Sequence, residues 1–254
     1  MTGLTLHPLS GLPLIKPGDD LPALFVAAMA GNSLAPAGHD VLVVAQKIVS
    51  KAEGRFVDLA TVRPSAQAVA LAQEVEKDPR LVEVILSESR RVVRRRKGVL
   101  IVEHRLGFVM ANAGVDRSNV APPGESERVL LLPRDPDASA AALRARLVAH
   151  FGVEMAVVIN DSFGRPWRRG TVGVALGAAG LPALLDLRGK PDLHGRPLEV
   201  TVAGFADEIA SAASLVMGQA GEAIPAVVVR GLAWNAPAAP ASEIVRAAEE
   251  DLFR

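Results

Sequence analysis

The stretch from residue 155 to residue 170 constrains the fold most, because an unbroken apolar run gives way there to polar and charged residues. Positions 155–159 are all apolar, and the valines and isoleucine among them favour a strand buried on both faces. Gly164 and Pro166 then favour an exit from the strand. Asp161 and Ser162 are therefore predicted to lie at a strand end, where α/β proteins commonly hold ligand groups on a rigid support.

Three arginines follow this strand, at positions 165, 168 and 169. One carboxylate, that of Asp161, leaves their positive charge in excess, and a phosphate or carboxylate ligand would offset the excess. The alternative is a surface turn in which Asp161 caps the next element and the arginines are only solvated, since charge clusters on loops are common. From this stretch alone the two interpretations have equal weight.

Length and composition limit the class of protein. A chain of 254 residues can form one large domain or two small ones, and it buries roughly 70 to 75 per cent of its unfolded surface. Half of the residues are hydrophobic and 22% are charged, which excludes a disordered chain. Lys+Arg and Asp+Glu both number 28, so no net charge attracts nucleic acid, and any affinity for anions must be local.

Cysteine is absent, which excludes disulfides, thiolate zinc sites and cysteine nucleophiles. The five histidines are scattered without a ligand-like spacing, so a metal is expected to be Mg2+ or Mn2+ held by oxygen atoms. The N-terminus lacks the pattern of a signal peptide, and no apolar run reaches about 18 residues. The sequence therefore predicts a cytoplasmic protein with no membrane partner.

Periodicity and turn signals predict the order of the elements. Helices are expected at 20–30, 64–77, after Pro79, at 135–150 and 207–217, and in the tail from Ser242. Strands are expected at 40–45, 99–102, 107–111, 129–132, 198–202 and 224–229, the second and third forming a hairpin turned at 104–106 and leading into a strand that ends near Asp116. Residues 11–20 and 46–55 are expected to be turn-rich, and the small residues of 173–180 to pack closely against another element.

Two cationic segments allow more than one interpretation. Lys47 and Lys51 follow the strand at 40–45 and could reach phosphates, or could simply be exposed lysines beside a buried Ile-Val pair. Residues 90–97 contain six cations without an interleaved aromatic residue. This pattern favours a solvated or substrate-side basic face over a nucleic-acid patch. Its role stays unassigned.

Familiar nucleotide and hydrolase motifs are missing from the sequence. It contains no Gly-x4-Gly-Lys-Ser/Thr loop, no Gly-x-Gly-x-x-Gly after a strand, and no Gly-x-Ser-x-Gly elbow. An ordinary P-loop enzyme, a Rossmann dehydrogenase and a serine hydrolase are therefore disfavoured.

Four separated motifs together carry a resemblance that none carries alone. They are Asn112-Ala113-Gly114-Val115-Asp116-x-Ser118-Asn119, Asp161-Ser162-Phe163-Gly164-Arg165-x-Trp167-Arg168-x-Gly170, Ala206-Asp207-Glu208-Ile209-Ala210 and Met217-Gly218-Gln219. In this order they resemble the coenzyme F420-0:L-glutamate ligase family, also called γ-glutamyl ligases. The resemblance extends from Gly11 to Gly231. It implies an α+β fold with a mixed sheet, without P-loop or Rossmann motif, assembled as an intertwined homodimer. It also implies a single module over 1–254, which could contain two interleaved subdomains and has no fused flavin-reductase-like domain.

The resemblance also implies a set of site residues. Asp116 and Asp161 would ligate one metal ion, and Ser162 and Gln219 a second. The catalytic candidates are these two aspartates with Arg165 and Arg168. The nucleotide would be held by Leu12, Pro13, Leu14, Ile15, Gln46, Lys47, Lys51, Asn119, Met217, Gly218, Gln219, Ala220, Gly221, Glu222, Ala223 and Ile224. Relatives often carry small hydroxyl residues at the positions of Gln46 and Lys47, so this chain departs from the family there.

The activity that the resemblance implies is GTP-dependent ligation of L-glutamate to coenzyme F420-0. An acyl phosphate would be the intermediate, and γ-glutamylated F420, GDP and phosphate the products. Mg2+ or Mn2+ would assist, with K+ as a further candidate, and no nucleic acid would be a partner. Two alternatives stay open: a non-catalytic deazaflavin or nucleotide-binding protein, and a ligase of the same chemistry acting on another acid.

Overall fold

The computed structural model describes residues 3–118, 120 and 127–252, which form a mixed α+β structure. The helices are α1 Leu21–Gly31, α2 Gln46–Ala52, α3 Ala66–Val75, α4 Pro79–Ser87, α5 Pro136–Phe151 and α6 Phe205–Met217. The strands are β1 Thr5–Pro8, β2 Val41–Ala45, β3 Phe56–Asp58, β4 Ser89–Arg96, β5 Val99–His104, β6 Val109–Ala111, β7 Arg128–Leu130, β8 Ala156–Gly164, β9 Thr171–Ala179, β10 Leu185–Asp186, β11 Val202–Ala203 and β12 Ala226–Arg230.

A five-stranded mixed sheet forms the centre, in the order β1-β12-β2-β8-β9. Its two middle strands, β2 and β8, run parallel, and every other pairing in the sheet is antiparallel. Both middle strands are buried on both faces over their apolar residues, as their continuous apolar runs predict. The mixed sheet expected from the family resemblance is therefore present.

Helices cover both faces of this sheet. α1 and α5 pack on one face around Phe25, Leu147 and Ile159, and α6 packs on the other face around Ile209 and Ala213. Close approach requires glycine in β9, as the small-residue run predicts. A Cβ atom at position 173 would clash with Ser214 of α6, and one at position 177 with the backbone at the start of α5.

Side-chain caps fix where four of the helices begin. The capping residues of α1, α3, α4 and α5 each accept a hydrogen bond from a backbone N–H in the first turn; they are Asp20, Ser65, Asp78 and Asp135. Proline stands in the first turn of α1, α4 and α5, where its missing N–H costs nothing. These local signals explain why the helix predictions were accurate to a few residues.

A second layer is built by α3 and α4 against the β4-β5-β6 sheet, with its own apolar cluster around Leu71, Ile85 and Leu100. The β5-β6 hairpin is confirmed. The basic run forms β4, an edge strand, and its cations lie in solvent beside acidic neighbours: Arg91 on Glu103, for example, at 2.8 Å. The solvated-face interpretation fits this geometry.

Several sequence predictions were wrong. Residues 46–52 form α2 instead of a turn, because no glycine or proline interrupts them before Gly54. Residues 198–202 are mostly irregular, and only β11 pairs. The tail forms two short 3-10 turns, 241–244 and 248–250, instead of a helix. β1, β3, β9, β10 and the strand character of the basic run were not predicted.

The prediction that Asp161 and Ser162 end a strand was also wrong. β8 continues through both residues to Gly164, because β9 supplies antiparallel partners as far as the pair formed by Gly164 and Thr171. The change from apolar to polar residues marks where the strand leaves the buried core, and pairing continues beyond that point.

Candidate active site

Asp116 is positioned by a backbone turn of unusual conformation. Asn112, Ala113 and Gly114 follow β6 with φ angles of 53, 54 and 66°, three successive residues in the left-handed region. Non-glycine residues there cost free energy, and such strain tends to occur at functional sites. Asp116 then pairs with Leu130 through two backbone hydrogen bonds of 2.9 Å. It therefore follows a strained turn, whereas the sequence prediction placed it at the end of a strand.

Lys47 reaches Asp116 from the first turn of α2. Its Nζ lies 2.7 Å from Asp116 Oδ2 and donates to Ser118 Oγ at 2.9 Å. Ser118 in turn donates to Asp116 Oδ1 from both its backbone N–H and its hydroxyl. Burial alone would raise the pKa of Asp116, but the hydrogen bonds from Lys47 and Ser118 outweigh it and hold that pKa below its usual value. Asp116 is therefore a charged, fixed carboxylate.

Asp161 lies close enough to Asp116 for the two charges to interact. Burial raises the pKa of Asp161 to about 7, and the charge of Asp116 adds to the effect, while the backbone N–H of Ser162 and the charge of Lys47 act against it. Two carboxylates near each other resist ionising together unless a cation lies between or beside them. The pair is therefore a place where a metal ion would replace a proton.

Lys51 completes the cationic side of the site. Because α2 is a helix, Lys47 and Lys51, four residues apart, project from the same side of it. Burial and the charge of Lys47 lower the pKa of Lys51, and the charge of Asp116 partly offsets them. Two cations thus face the carboxylate pair, an arrangement suited to an anion with several charges such as a polyphosphate.

Ser162 and Gln219 meet across the edge of the sheet. Ser162 Oγ donates to Gln219 Oε1 at 2.7 Å, so β8 and the loop after α6 contribute to one place. Gly218, with a φ of 72°, caps α6 and turns the chain into that loop. The Glu222 carboxylate accepts a hydrogen bond of 2.8 Å from the Ala220 N–H within the loop.

The side-chain oxygen atoms of this site supply only part of the ligands that a hard metal ion needs. Among residues 3–118, 120 and 127–252, no group of three or more histidine, aspartate or glutamate side chains is close enough to hold one. Asp116 and Asp161 offer two carboxylates, and Ser162 and Gln219 offer neutral oxygen atoms. Mg2+ is usually bound by one or two carboxylates together with substrate phosphates and water, and Asp116 and Asp161 match that pattern. Ser162 follows Asp161 in β8, so its side chain and its partner Gln219 lie on the other face of the strand.

Further predicted nucleotide residues lie in the segment after β1 and at the start of α2. Leu12, Pro13, Leu14 and Ile15 form an irregular segment after β1, in which Ile15 is buried and the side chain of Leu14 is 89% exposed. Gln46 is buried and accepts a hydrogen bond from Ser50. Asn119 lies outside the described residues.

The arginine segment, residues 165–169, makes no described contact with the paired carboxylates. Arg165 donates to the Gly170 carbonyl at 3.3 Å, and Arg168 is exposed. In the described part of the chain, neither arginine forms an ion pair with Asp116 or Asp161. Trp167 between them is 88% exposed.

Two residues at the site were given no role from the sequence. Ser118 entered the sequence analysis only as part of a motif. The Asp-x-Ser spacing is nevertheless typical of an aspartate side chain that accepts a hydrogen bond from the backbone N–H two residues later. Asn160, the residue before Asp161 in β8, is buried and donates to Ser214 Oγ of α6 at 3.0 Å. No sequence signal distinguishes Asn160 from an ordinary strand residue, because its partner is 54 positions away.

The fold and the site define a mixed-sheet α+β protein in which paired carboxylates face two lysines, a class suited to binding phosphorylated ligands. Comparison with known proteins then gives the family. Residues 11–231 match the model of the F420-0:Gamma-glutamyl ligase family. The chain belongs to this family, as the motifs predict.

Curated relatives resemble the chain over nearly its full length. A coenzyme F420:L-glutamate ligase of Methanothermobacter thermautotrophicus is 44% identical over 254 residues, which cover 99% of each chain. The protein of the same name from Methanopyrus kandleri is 47% identical over 262 residues, with complete coverage of both chains. That of Archaeoglobus fulgidus is 44% identical over 249 residues, covering 98% of this chain and 96% of its own. Within the described residues, no helix is long and apolar enough to span a membrane.

Proposed function

We propose that the protein is a GTP-dependent ligase that joins L-glutamate to coenzyme F420-0. The observation that carries the proposal is the cluster of Lys47, Lys51, Asp116 and Asp161 in a chain of this family. Ser162, the residue after Asp161 in β8, bonds to Gln219. The curated relatives are named for glutamate ligation to coenzyme F420.

The chemistry explains why such a site is needed. A carboxylate does not react with an amine at a useful rate until it carries a leaving group. The carboxylate oxygen of F420-0 takes the γ-phosphoryl group of GTP, and GDP leaves with the electron pair of the broken P–O bond. The amine of glutamate then forms the C–N bond to the acyl carbon, phosphate leaves with the electrons of the C–O bond, and the amine gives up a proton.

The protein's contribution to phosphoryl transfer is placement and electrostatics. Lys51 and Lys47 supply positive charge to the phosphates, and the loop after α6 brings Gln219 beside Ser162. Asp116 is kept ionised by Lys47 and Ser118, ready to accept a cation. A Mg2+ or Mn2+ ion held by Asp116 and Asp161, with Ser162 and Gln219 at a second ion, would neutralise the charge of the phosphoryl group.

Assembly as a homodimer is part of the proposal. Exposed apolar side chains at Trp167, Leu193 and Val200 lie on or near the arginine segment and the long loop after β10, and they would be covered by a second copy. Light scattering should then give about twice the chain mass of 26.6 kDa, as two-fold symmetry requires. A stable, active monomer at micromolar concentration would contradict the assembly.

Mass spectrometry of reaction products tests the activity. The protein is incubated with GTP, Mn2+, L-glutamate and F420-0, and a parallel reaction contains ATP in place of GTP. The proposal expects F420 products heavier by whole glutamyl residues, with GDP and phosphate formed alongside. Binding of F420-0 or GTP without any product would favour the non-catalytic alternative, and turnover only with a different acid would favour a ligase of other specificity.

A further inference from the structure

A cavity lies beside Asp116, lined by the connection from α3 to α4 and by the segment after β6, and it has no assigned role. Its volume is about 450 Å³, within the usual range of small-molecule sites. The connection from α3 to α4 forms one wall, with Lys77 and Asp78, and the segment after β6 forms the other, with Asn112 and Arg117. Since Asp116 itself lines the cavity, a ligand there would lie beside the site that activates the carboxylate.

The acidic and the basic residues that line this cavity differ in whether they already form ion pairs. Each acid that lines it already has a cation: Glu76 has Lys97 at 2.9 Å, Asp78 has Arg80 at 2.6 Å, and Asp116 has Lys47 at 2.7 Å.

The basic residues that line the cavity, one on each wall, differ from the acids in this respect. In the part of the chain that the structure describes, neither Lys77 nor Arg117 forms an ion pair. The pKa of Asp78 is held below its usual value by hydrogen bonds from Arg80, with a smaller contribution from the charge of Arg117. The cavity therefore offers two cations to an incoming anion.

The other residues that line the cavity suit the aliphatic chain and the amine of a short, flexible amino acid. Leu81 and Val115 are buried apolar residues of the lining, and they provide a surface for methylene groups. Asn112 also lines the cavity, and its Oδ1 is a buried acceptor that has no hydrogen-bond donor among the described residues. A buried acceptor without a partner costs free energy, and an ammonium group is a donor that would remove this cost.

We infer that this cavity is the binding site for the acceptor amino acid, an α-amino dicarboxylate, with Lys77 and Arg117 binding its carboxylates. The amine then lies toward Asn112 and Asp116, near the carbon that it attacks. The inference rests on the proposed ligase function and goes beyond it, because it locates the acceptor on the α3–α4 side of Asp116 and leaves the α2 side to the nucleotide.

Steady-state kinetics with charge-removing variants test the site. Lys77→Met and Arg117→Gln keep most of the side-chain length and remove the charge, and Arg94→Gln on the exposed face of β4 is the matched control. Each cavity variant should raise the KM for L-glutamate about tenfold, since a charge-assisted hydrogen bond is lost. The KM values for GTP and F420-0 should stay within about twofold, and the control should match the wild type.

A rise in the KM for F420-0 instead of that for glutamate would overturn the inference, because the cavity would then take the acid group of the deazaflavin substrate. Unchanged KM values for all three substrates would overturn it as well.

Saturation-transfer NMR of L-glutamate with the wild-type protein and with Lys77→Met separates this inference from the proposed function, because it needs no turnover. Glutamate binding that is lost in Lys77→Met supports the site even if the wild type forms no product. Product formation by the wild type with equal glutamate binding in both proteins leaves the ligase function standing and removes the site.

Discussion

Two charged segments of this chain, the region around Asp116 and the segment from Arg165 to Arg169, differ in how the fold holds them. Asp116 is fixed by a backbone bridge to Leu130 and by Lys47, a residue 69 positions away in the sequence whose Nζ lies 2.7 Å from its carboxylate. In the described part of the chain, Arg165 is half-buried and donates to the Gly170 carbonyl, and Arg168 and Arg169 are exposed. The described contacts organise the first region within one chain, whereas they leave the second largely in solvent.

Replacing Asp161 tests the organised region and should have the largest effect. Asp161→Asn keeps the shape of the side chain and removes its charge, so ligation should fall by about a thousandfold or more while the fold is retained. Ligation is measured by product formation at limiting metal, and folding by circular dichroism. Asp186→Asn, at an exposed carboxylate paired with Arg188, is the matched control and should match the wild type. Near-normal ligation by Asp161→Asn would remove Asp161 from the site.

Lys51 and Gln219 test whether the nucleotide lies on the α2 side of Asp116. Lys51→Ala and Gln219→Ala should each weaken GTP binding by about tenfold to a hundredfold, since each removes a group that contacts phosphate or metal. Binding of F420-0 should stay largely intact. Calorimetric titrations of both variants check this expectation. Unchanged GTP affinity together with unchanged turnover in both variants would move the nucleotide site elsewhere.

The pH dependence of metal binding follows from the pKa of about 7 at Asp161. Below that pH a proton occupies Asp161 in the metal-free protein, and the metal must displace it. The apparent affinity for Mn2+ should therefore fall by about tenfold for each pH unit below 7 and level off above it. Titrations between pH 5.5 and 8, chosen to bracket about 7, measure this. A pH-independent affinity would show that Asp161 does not bind the metal.

The raised pKa of Asp161 also affects the stability of the metal-free protein. Metal affinity should rise with pH, whereas this stability should fall. The folded-state pKa of Asp161 lies above the value of 3.8 expected for the unfolded chain. Its contribution to the free energy of unfolding is therefore present at low pH and is lost as the pH rises from about 4 to about 7. Asp161→Asn should remove this loss, which thermal unfolding without metal would detect as a smaller fall in Tm over that interval.

The arginine segment should respond least. If the segment reaches the site only when substrates or a second copy are present, Arg165→Ala and Arg168→Ala should lower kcat by about threefold to tenfold without changing stability. Arg169→Ala, in the same segment and outside the motif, is the matched control. If all three substitutions lower kcat equally, the effect is a general effect of charge. If none of them changes kcat, the segment is a solvated surface turn without a role in the reaction.

The sequence predicted most of the buried strands and helices, for a physical reason. The exception is β9, whose small residues predicted close packing but no strand. β2, β8 and β12 are continuous apolar runs, and α1, α4 and α5 carry caps or prolines that fix where they begin. β1 and β3 are short and contain no fully buried residue, so their pairing is determined by partners distant in sequence. α2 has no side-chain cap, and the glycine after it resembled a turn signal.

The sequence predicted residues of the site only where they belong to a local motif. Asp116, Asp161 and Gln219 stood out because each lies in a motif, and the structure brings the first two into electrostatic contact and the third to Ser162. The ion pair of Lys47 with Asp116 depends on α2 being a helix, which the sequence prediction missed. The cavity beyond Asp116 combines two distant segments, and no local pattern in either one reveals it.

The most direct test of the central claim, phosphoryl transfer to a carboxylate at the Asp116–Asp161 site, follows an oxygen atom. F420-0 labelled with heavy oxygen in its carboxylate is ligated to L-glutamate in the presence of GTP and Mn2+, and the released phosphate is examined by mass spectrometry. The account predicts that each phosphate formed carries one labelled oxygen from the carboxylate, and that Asp161→Asn releases neither product nor labelled phosphate. Glutamylated product formed with unlabelled phosphate would contradict it.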